Sequence, residues 1–149
     1  MNTTALRIAL AGALAATGLP AHADDAISCR LENGKTLALS ELGTQPRYTY
    51  GKPGQPELAL PAGKAKQQVY KGRAMFSGGG ATYLRFTNGP YSYVAYSGIG
   101  KGWEFTGLIV YKADKVIMAS RCAYSDFPLD SDAIHAAEDP DEQFSFPPE

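Results

Sequence analysis

Cys29 and Cys122 stand at the two ends of everything strand-like in this chain, and there is no third cysteine to compete for either. An exported chain meets an oxidising compartment, so the pair is expected as one structural disulfide. It would tie the first strand to the last, as closing a sheet into a barrel requires. On the chain-entropy account a loop of this length is worth roughly 4–5 kcal/mol, less any native strain. The pairing leaves no free thiol for catalysis.

Residues 1–23 read as a secretory leader. Arg7 supplies a positive start, Ile8 to Leu19 is apolar and alanine-rich, and Ala21-His22-Ala23 places small residues at a cleavage site after Ala23. The apolar run is too short to span a bilayer and no second one follows, so no membrane span is expected. The expected location is the periplasm or the exterior. A lipidated Cys29 is the competing reading, but Ala26-Ile27-Ser28 lacks the usual upstream leucine and lipidation would orphan Cys122.

Charge divides the remainder. Residues 24–124 carry 13 Lys/Arg against 7 Asp/Glu, a formal +6, whereas residues 125–149 carry 8 Asp/Glu and no Lys/Arg. A β-barrel body over 24–124 and an acidic tail over 125–149 are expected. The basic residues are scattered singly along strands, which argues against a nucleic-acid partner.

Strand signals run from Ile27 to Tyr124. A two-residue Asn33-Gly34 loop would put Leu37 and Leu39 on the wrong face. A three-residue loop, Glu32-Asn33-Gly34 with Gly34 left-handed, sets Cys29 opposite Leu37 and Ile27 opposite Leu39. Tyr48 and Tyr50 pair with Leu58 and Leu60 in a second hairpin, and residues 81–87 pair with 91–97 around Asn88-Gly89-Pro90. Trp103, Phe105, Ile109 and Tyr111 share one parity, with Val116, Met118 and Cys122 expected on the facing one. Short strands and regular turns predict an all-β fold, a small antiparallel barrel of about eight strands. In the tail, Asp130 or Ser131 is positioned to cap a short helix through Ile134-His135-Ala136-Ala137, with a solvated end beyond Asp139-Pro140.

The residue inventory narrows the chemistry. With His22 in the leader, His135 is the only histidine left, and no nucleophile motif accompanies it. A zinc site wants several His or Cys ligands. Ser77-Gly78-Gly79-Gly80 is glycine-rich but precedes no helix that would bind phosphate. Asp130-Ser131-Asp132 lacks the glycine and distal glutamate of a calcium loop. Two carboxylates suffice for a glycosidase, and the body offers Glu32, Glu41, Glu57, Glu104 and Asp114, mostly beside turns or on polar strand faces. No catalytic residue, metal or cofactor is expected. The richest functional stretch is 77–103, where glycine loops flank Tyr83, Tyr91, Tyr93 and Tyr96 and lead through Lys101 to Trp103. Aromatic anchors beside an extendable cation suit a protein interface. The bland alternative has the glycines as sheet corners and the tyrosines as core.

The order of these motifs resembles the bacterial periplasmic and membrane-bound inhibitors of c-type lysozyme. Cys29 precedes a hairpin bearing Asn33-Gly34-Lys35, and a Glu57-Leu58-Ala59-Leu60 strand follows. Ser77-Gly78-Gly79-Gly80-Ala81-Thr82-Tyr83 is similar to that family's Ser-x-Ser-Gly-x-x-Tyr loop. Tyr96 and Lys101 fit its Tyr-x-x-x-x-Lys spacing, and Cys122 closes the array. The resemblance spans residues 27–122. It implies a lysozyme-like hydrolase as partner, with Ser77, Gly79, Gly80, Tyr83, Tyr96, Lys101 and Trp103 at the contact and Lys101 entering an acidic cleft. One departure is plain: the serine that the family inserts into the lysozyme falls at Gly79. Two other functions fit the same residues, a carbohydrate or peptidoglycan module using Trp103 and the tyrosines, and a non-catalytic envelope assembly protein.

Overall fold

The Asn33-Gly34 turn sets the register from which the first sheet grows. In a computed structural model describing residues 26–63, 66–124 and 127–147, Gly34 adopts φ 80° and the Leu31 N–H donates to the Lys35 carbonyl at 2.8 Å. The Asn33 side chain accepts from the Lys35 N–H at 3.0 Å, a local bond that asparagine makes readily in turns. Cys29 faces Leu37 and Ile27 faces Leu39, the pairing that parity required. The leader read at residues 1–23 lies outside the described residues.

This hairpin joins β1 (Ile27–Arg30) to β2 (Thr36–Ser40) and continues through β3 (Arg47–Lys52) and β4 (Gln55–Leu60) as a four-stranded antiparallel sheet. The expected second hairpin is present, with Tyr48 facing Leu60 and Tyr50 facing Leu58. A second sheet contains β5 (Val69–Phe76), β6 (Gly79–Asn88), β7 (Tyr91–Gly100), β8 (Trp103–Lys112) and β9 (Lys115–Arg121), antiparallel in chain order. Its other edge is completed from the tail: β10 (Ala137–Glu138) pairs parallel with Tyr70 and Lys71 of β5.

The fold is all-β with the Cys29–Cys122 disulfide in place, its Cα atoms 5.6 Å apart. The closed eight-stranded barrel is corrected to two sheets. At one seam β1 does meet the end of β9: Leu31 bridges Cys122, and the Glu32 N–H donates to the Arg121 carbonyl at 2.9 Å. At the opposite seam β10 occupies the free edge of β5 that β4 would need in order to close the cylinder.

Two apolar cores result, one on each face of the long sheet. Between the sheets, Leu37, Leu39, Tyr48 and Leu60 pack with Leu84, Phe86, Leu108 and Val110. On the outer face, Tyr83, Tyr96, Ile109 and Tyr111 pack beneath Phe144 of the tail. This corrects the expected single apolar face of the fourth hairpin. Phe105, Ile109 and Tyr111 belong to the outer core, whereas Met118 and Cys122 pack on the inner one. A strand covered on both sides has no polar face to alternate with.

The tail carries no α-helix among its described residues. Asp130 caps only a single 3₁₀ turn, Ser131–Ala133, by accepting from the Asp132 N–H at 3.0 Å, and a second turn, Glu142–Ser145, follows. Nor is its far end merely solvated. The Asp139 carboxylate is fully buried against Arg85 in two bonds of 2.6 Å. The Arg85 guanidinium lies between the rings of Tyr70 (4.6 Å) and Phe144 (4.3 Å). Basic body and acidic tail are thus held together by a buried ion pair.

Candidate functional site

Two hairpin tips meet at one end of the long sheet. The β5–β6 turn is Ser77-Gly78 and the β7–β8 turn is Lys101-Gly102, both glycines left-handed at φ 84° and 83°. The Lys101 N–H donates to the Ser77 carbonyl at 2.7 Å, and a Cβ on Gly78 would stand 3.0 Å from the Lys101 nitrogen. The two tips therefore form one rigid unit, which depends on glycine at position 78. Lys101 is exposed, and no ion pair among the described residues engages it. Three large apolar side chains stand open nearby: Met75 at 76 % exposure, Ile99 at 52 % and Phe146 at 59 %.

The structure separates the seven residues singled out from the sequence into four groups. Ser77 and Lys101 are exposed at the joined tips. Trp103 is half-buried on the outer face, edge-on to Phe76 with ring centroids 5.1 Å apart. It lines a cleft of about 510 Å³ with Phe76, Phe105, Arg121 and Phe146. Tyr83 and Tyr96 are buried in the outer core, where they stack at 6.3 Å, so neither ring is presented at the surface. The Tyr96 hydroxyl donates to the Ser145 carbonyl at 2.9 Å. Burial pushes both phenols up, that of Tyr83 to about 12, with the neighbouring Asp139 carboxylate adding to the shift. Each is held neutral as a packing element.

Gly79 and Gly80 belong to the framework. A Cβ on Gly79 would fall on the Ile99 carbonyl oxygen, and one on Gly80 would lie 2.9 Å from the Ala74 carbonyl. The β5–β6–β7 pairing at this end thus requires a bare α-carbon where the resembled family carries serine. The sequence reading missed Phe76, Arg121 and Phe146 as partners of Trp103. The Phe144-Ser145-Phe146 alternation in the tail was the available signal, since it sends one ring to the core and leaves the next open.

Two of the body's acidic residues are already engaged by cations. The Glu57 carboxyl is held below the usual range by its hydrogen bond to Lys35, and Glu41 pairs with Arg47. Glu104 and Asp114 flank opposite ends of β8, about 30 Å apart along an extended strand, against the roughly 5–10 Å of a glycosidase pair. Among the described residues there is no His/Cys/Asp/Glu cluster fit for a metal, and no helix is long and apolar enough to cross a membrane. No protein-family model matches the chain, and neither curated proteins nor solved structures give a match.

Proposed function

We propose that this is an exported, periplasmic or secreted binding protein that inhibits a lysozyme-like cell-wall hydrolase, using the joined hairpin tips to place Lys101 in the enzyme's acidic cleft. The observation that carries this reading is the bond from the Lys101 N–H to the Ser77 carbonyl, which fixes an exposed cation, without an ion-pair partner among the described residues, at the apex of two hairpins. A tip ordered before binding loses little further entropy in the complex. Met75 and Ile99 beside it would exclude water around the charge pair, the arrangement in which such a pair contributes most. The contact is narrower than the resemblance implied: Ser77, Lys101 and Trp103 are available to it, whereas Tyr83 and Tyr96 act from the core.

The test is lysis of peptidoglycan by a panel of lysozymes in the presence of the mature protein. Inhibition at near-equimolar protein is expected, with Lys101→Ala losing most of it, about 2–5 kcal/mol of affinity for one member of a buried charge pair. A Lys101→Ala variant that inhibits as well as the parent refutes the mechanism. A second reading, a saccharide-binding module, is favoured by the aromatic cleft around Trp103, and saccharide-dependent quenching of its fluorescence would support it.

A further inference from the structure

The inner face of the long sheet is only partly covered. Strands β6, β7 and β8 each run ten residues, while those of the covering sheet run four to six. At about 3.4 Å per residue the long sheet extends some 13 Å beyond its cover. Cross-strand rows show what lies on that extension. The row Lys71–Leu84–Ala95–Leu108 runs into the inner core. The next row is Arg73–Thr82–Ser97–Thr106, and the one beyond it is Met75–Gly80–Ile99–Glu104.

These two rows floor an open groove of about 400 Å³, walled on one side by Leu129 from the tail. Three hydroxyls stand in line across β6, β7 and β8, roughly 4.8 Å apart. A cation, Arg73, marks one end and an anion, Glu104, the other. Their α-carbons are about 16 Å apart on the sheet lattice. Both side chains are exposed, and no ion pair among the described residues takes up either.

We propose that this groove binds a short zwitterionic peptide of two or three residues, its carboxylate on Arg73 and its ammonium on Glu104. Charge complementarity selects the ligand. Opposite charges held at the two ends of a groove reward a molecule carrying the opposite pair at matching separation. An extended tripeptide spans about 10 Å, which leaves room for a charged hydrogen bond at each end. Hydroxyls both donate and accept, so the Thr82–Ser97–Thr106 row suits the alternating N–H and C=O of a peptide backbone. Met75, exposed and conformationally adaptable, and Ile99 offer apolar contact to small side chains. A saccharide is disfavoured because no aromatic ring lines this groove; the indole of Trp103 lies on the other face.

Heteronuclear NMR of the mature protein titrated with Ala-Ala-Ala tests the proposal. The expected result is shifts at the Thr82, Ser97 and Thr106 amides. Arg73→Gln and Glu104→Gln should each weaken binding about two- to five-fold, as for exposed ion pairs, and acetylating or amidating the peptide should do the same. Lys101→Ala should leave the titration unchanged, so this site stands or falls apart from the inhibitor reading. The proposal is overturned if those amides stay still at millimolar tripeptide, if the doubly capped peptide binds equally well, or if a neutral oligosaccharide moves them while the tripeptide does not.

Discussion

Replacing Asp139 with asparagine removes one charge from the ion pair that seats the tail and changes almost no volume. The Asp139 carboxylate is fully buried and bonded twice to Arg85 at 2.6 Å, and Arg85 itself is 9 % exposed with a further bond to the Ser92 hydroxyl at 3.2 Å. Surface pairs contribute little, but a buried pair that loses one member leaves the other charge uncompensated, at about 3–5 kcal/mol. Arg85 would remain clamped between Tyr70 and Phe144 with no counter-charge to stay for. For a domain whose total stability is about 5–15 kcal/mol, this is a large fraction, a fall in Tm of roughly 10–20 °C. Urea denaturation followed by tryptophan fluorescence, together with limited proteolysis of the tail, measures both consequences. The double variant Arg85→Met/Asp139→Leu should recover much of the loss, because two apolar groups need no pairing. A loss below about 1 kcal/mol in Asp139→Asn, with the tail still protected from protease, would refute the argument that the ion pair seats the tail.

Alkaline pH should unfold the protein through its tyrosines. Tyr48, Tyr83 and Tyr96 have folded pKa values raised above the ordinary 10.0, so their contribution is complete below pH 10 and is lost as pH climbs toward their folded values. Phenolate absorbance should therefore appear for these groups together with loss of β-sheet ellipticity; free titration of every tyrosine near pH 10 in a folded sample would contradict their burial. Gly79→Ser should lower stability by about 1–3 kcal/mol, since the new Cβ meets the Ile99 backbone, and a thermal melt identical to the parent would show that this end of the sheet yields. The Cys29→Ala/Cys122→Ala variant should lose about 2–5 kcal/mol in denaturant titration, and an unchanged midpoint would mean that the Leu31–Cys122 bridge suffices without the crosslink.

The first half of the chain was legible because its pairings are local. Turn chemistry and a period of two fix Cys29 on Leu37 and Tyr48 on Leu60 within a few residues of each turn. The disulfide was readable for a different reason, the absence of any other cysteine. What sequence could not supply was the second cover of the long sheet. Nothing near Tyr83 or Tyr96 announces that the tail around Phe144 and Ser145, some fifty to sixty positions on, will cover this face, and without that cover both rings look like surface aromatics. The two-residue strand Ala137–Glu138 has no periodicity to detect, yet it pairs with β5 along the edge that closure would need. At the tips, the exposure of Lys101 was legible from its glycine surroundings. Its bond to Ser77 joins two separate turns, and such a meeting is a property of the sheet rather than of either loop.

The route of the chain through its single crosslink has a practical side. The tail lies beyond Cys122, outside the covalent ring, so its described residues are held to the body without a crosslink, by side-chain contacts, the two-residue strand and backbone bonds such as that from the His135 N–H to the Leu42 carbonyl at 2.7 Å. A protein ended at Tyr124 would keep its ring and both hairpin tips. It would also have lost its own counter-ions, leaving residues 24–124 as a polycation of formal +6 with Tyr111 and the Arg85 guanidinium laid open. Such a fragment would adhere to acidic surfaces of any kind, lysozyme clefts among them, and mimic specific binding. Affinities measured on it would report missing neutralisation, and the full chain is the form on which the contacts proposed for the tip and the groove are to be tested.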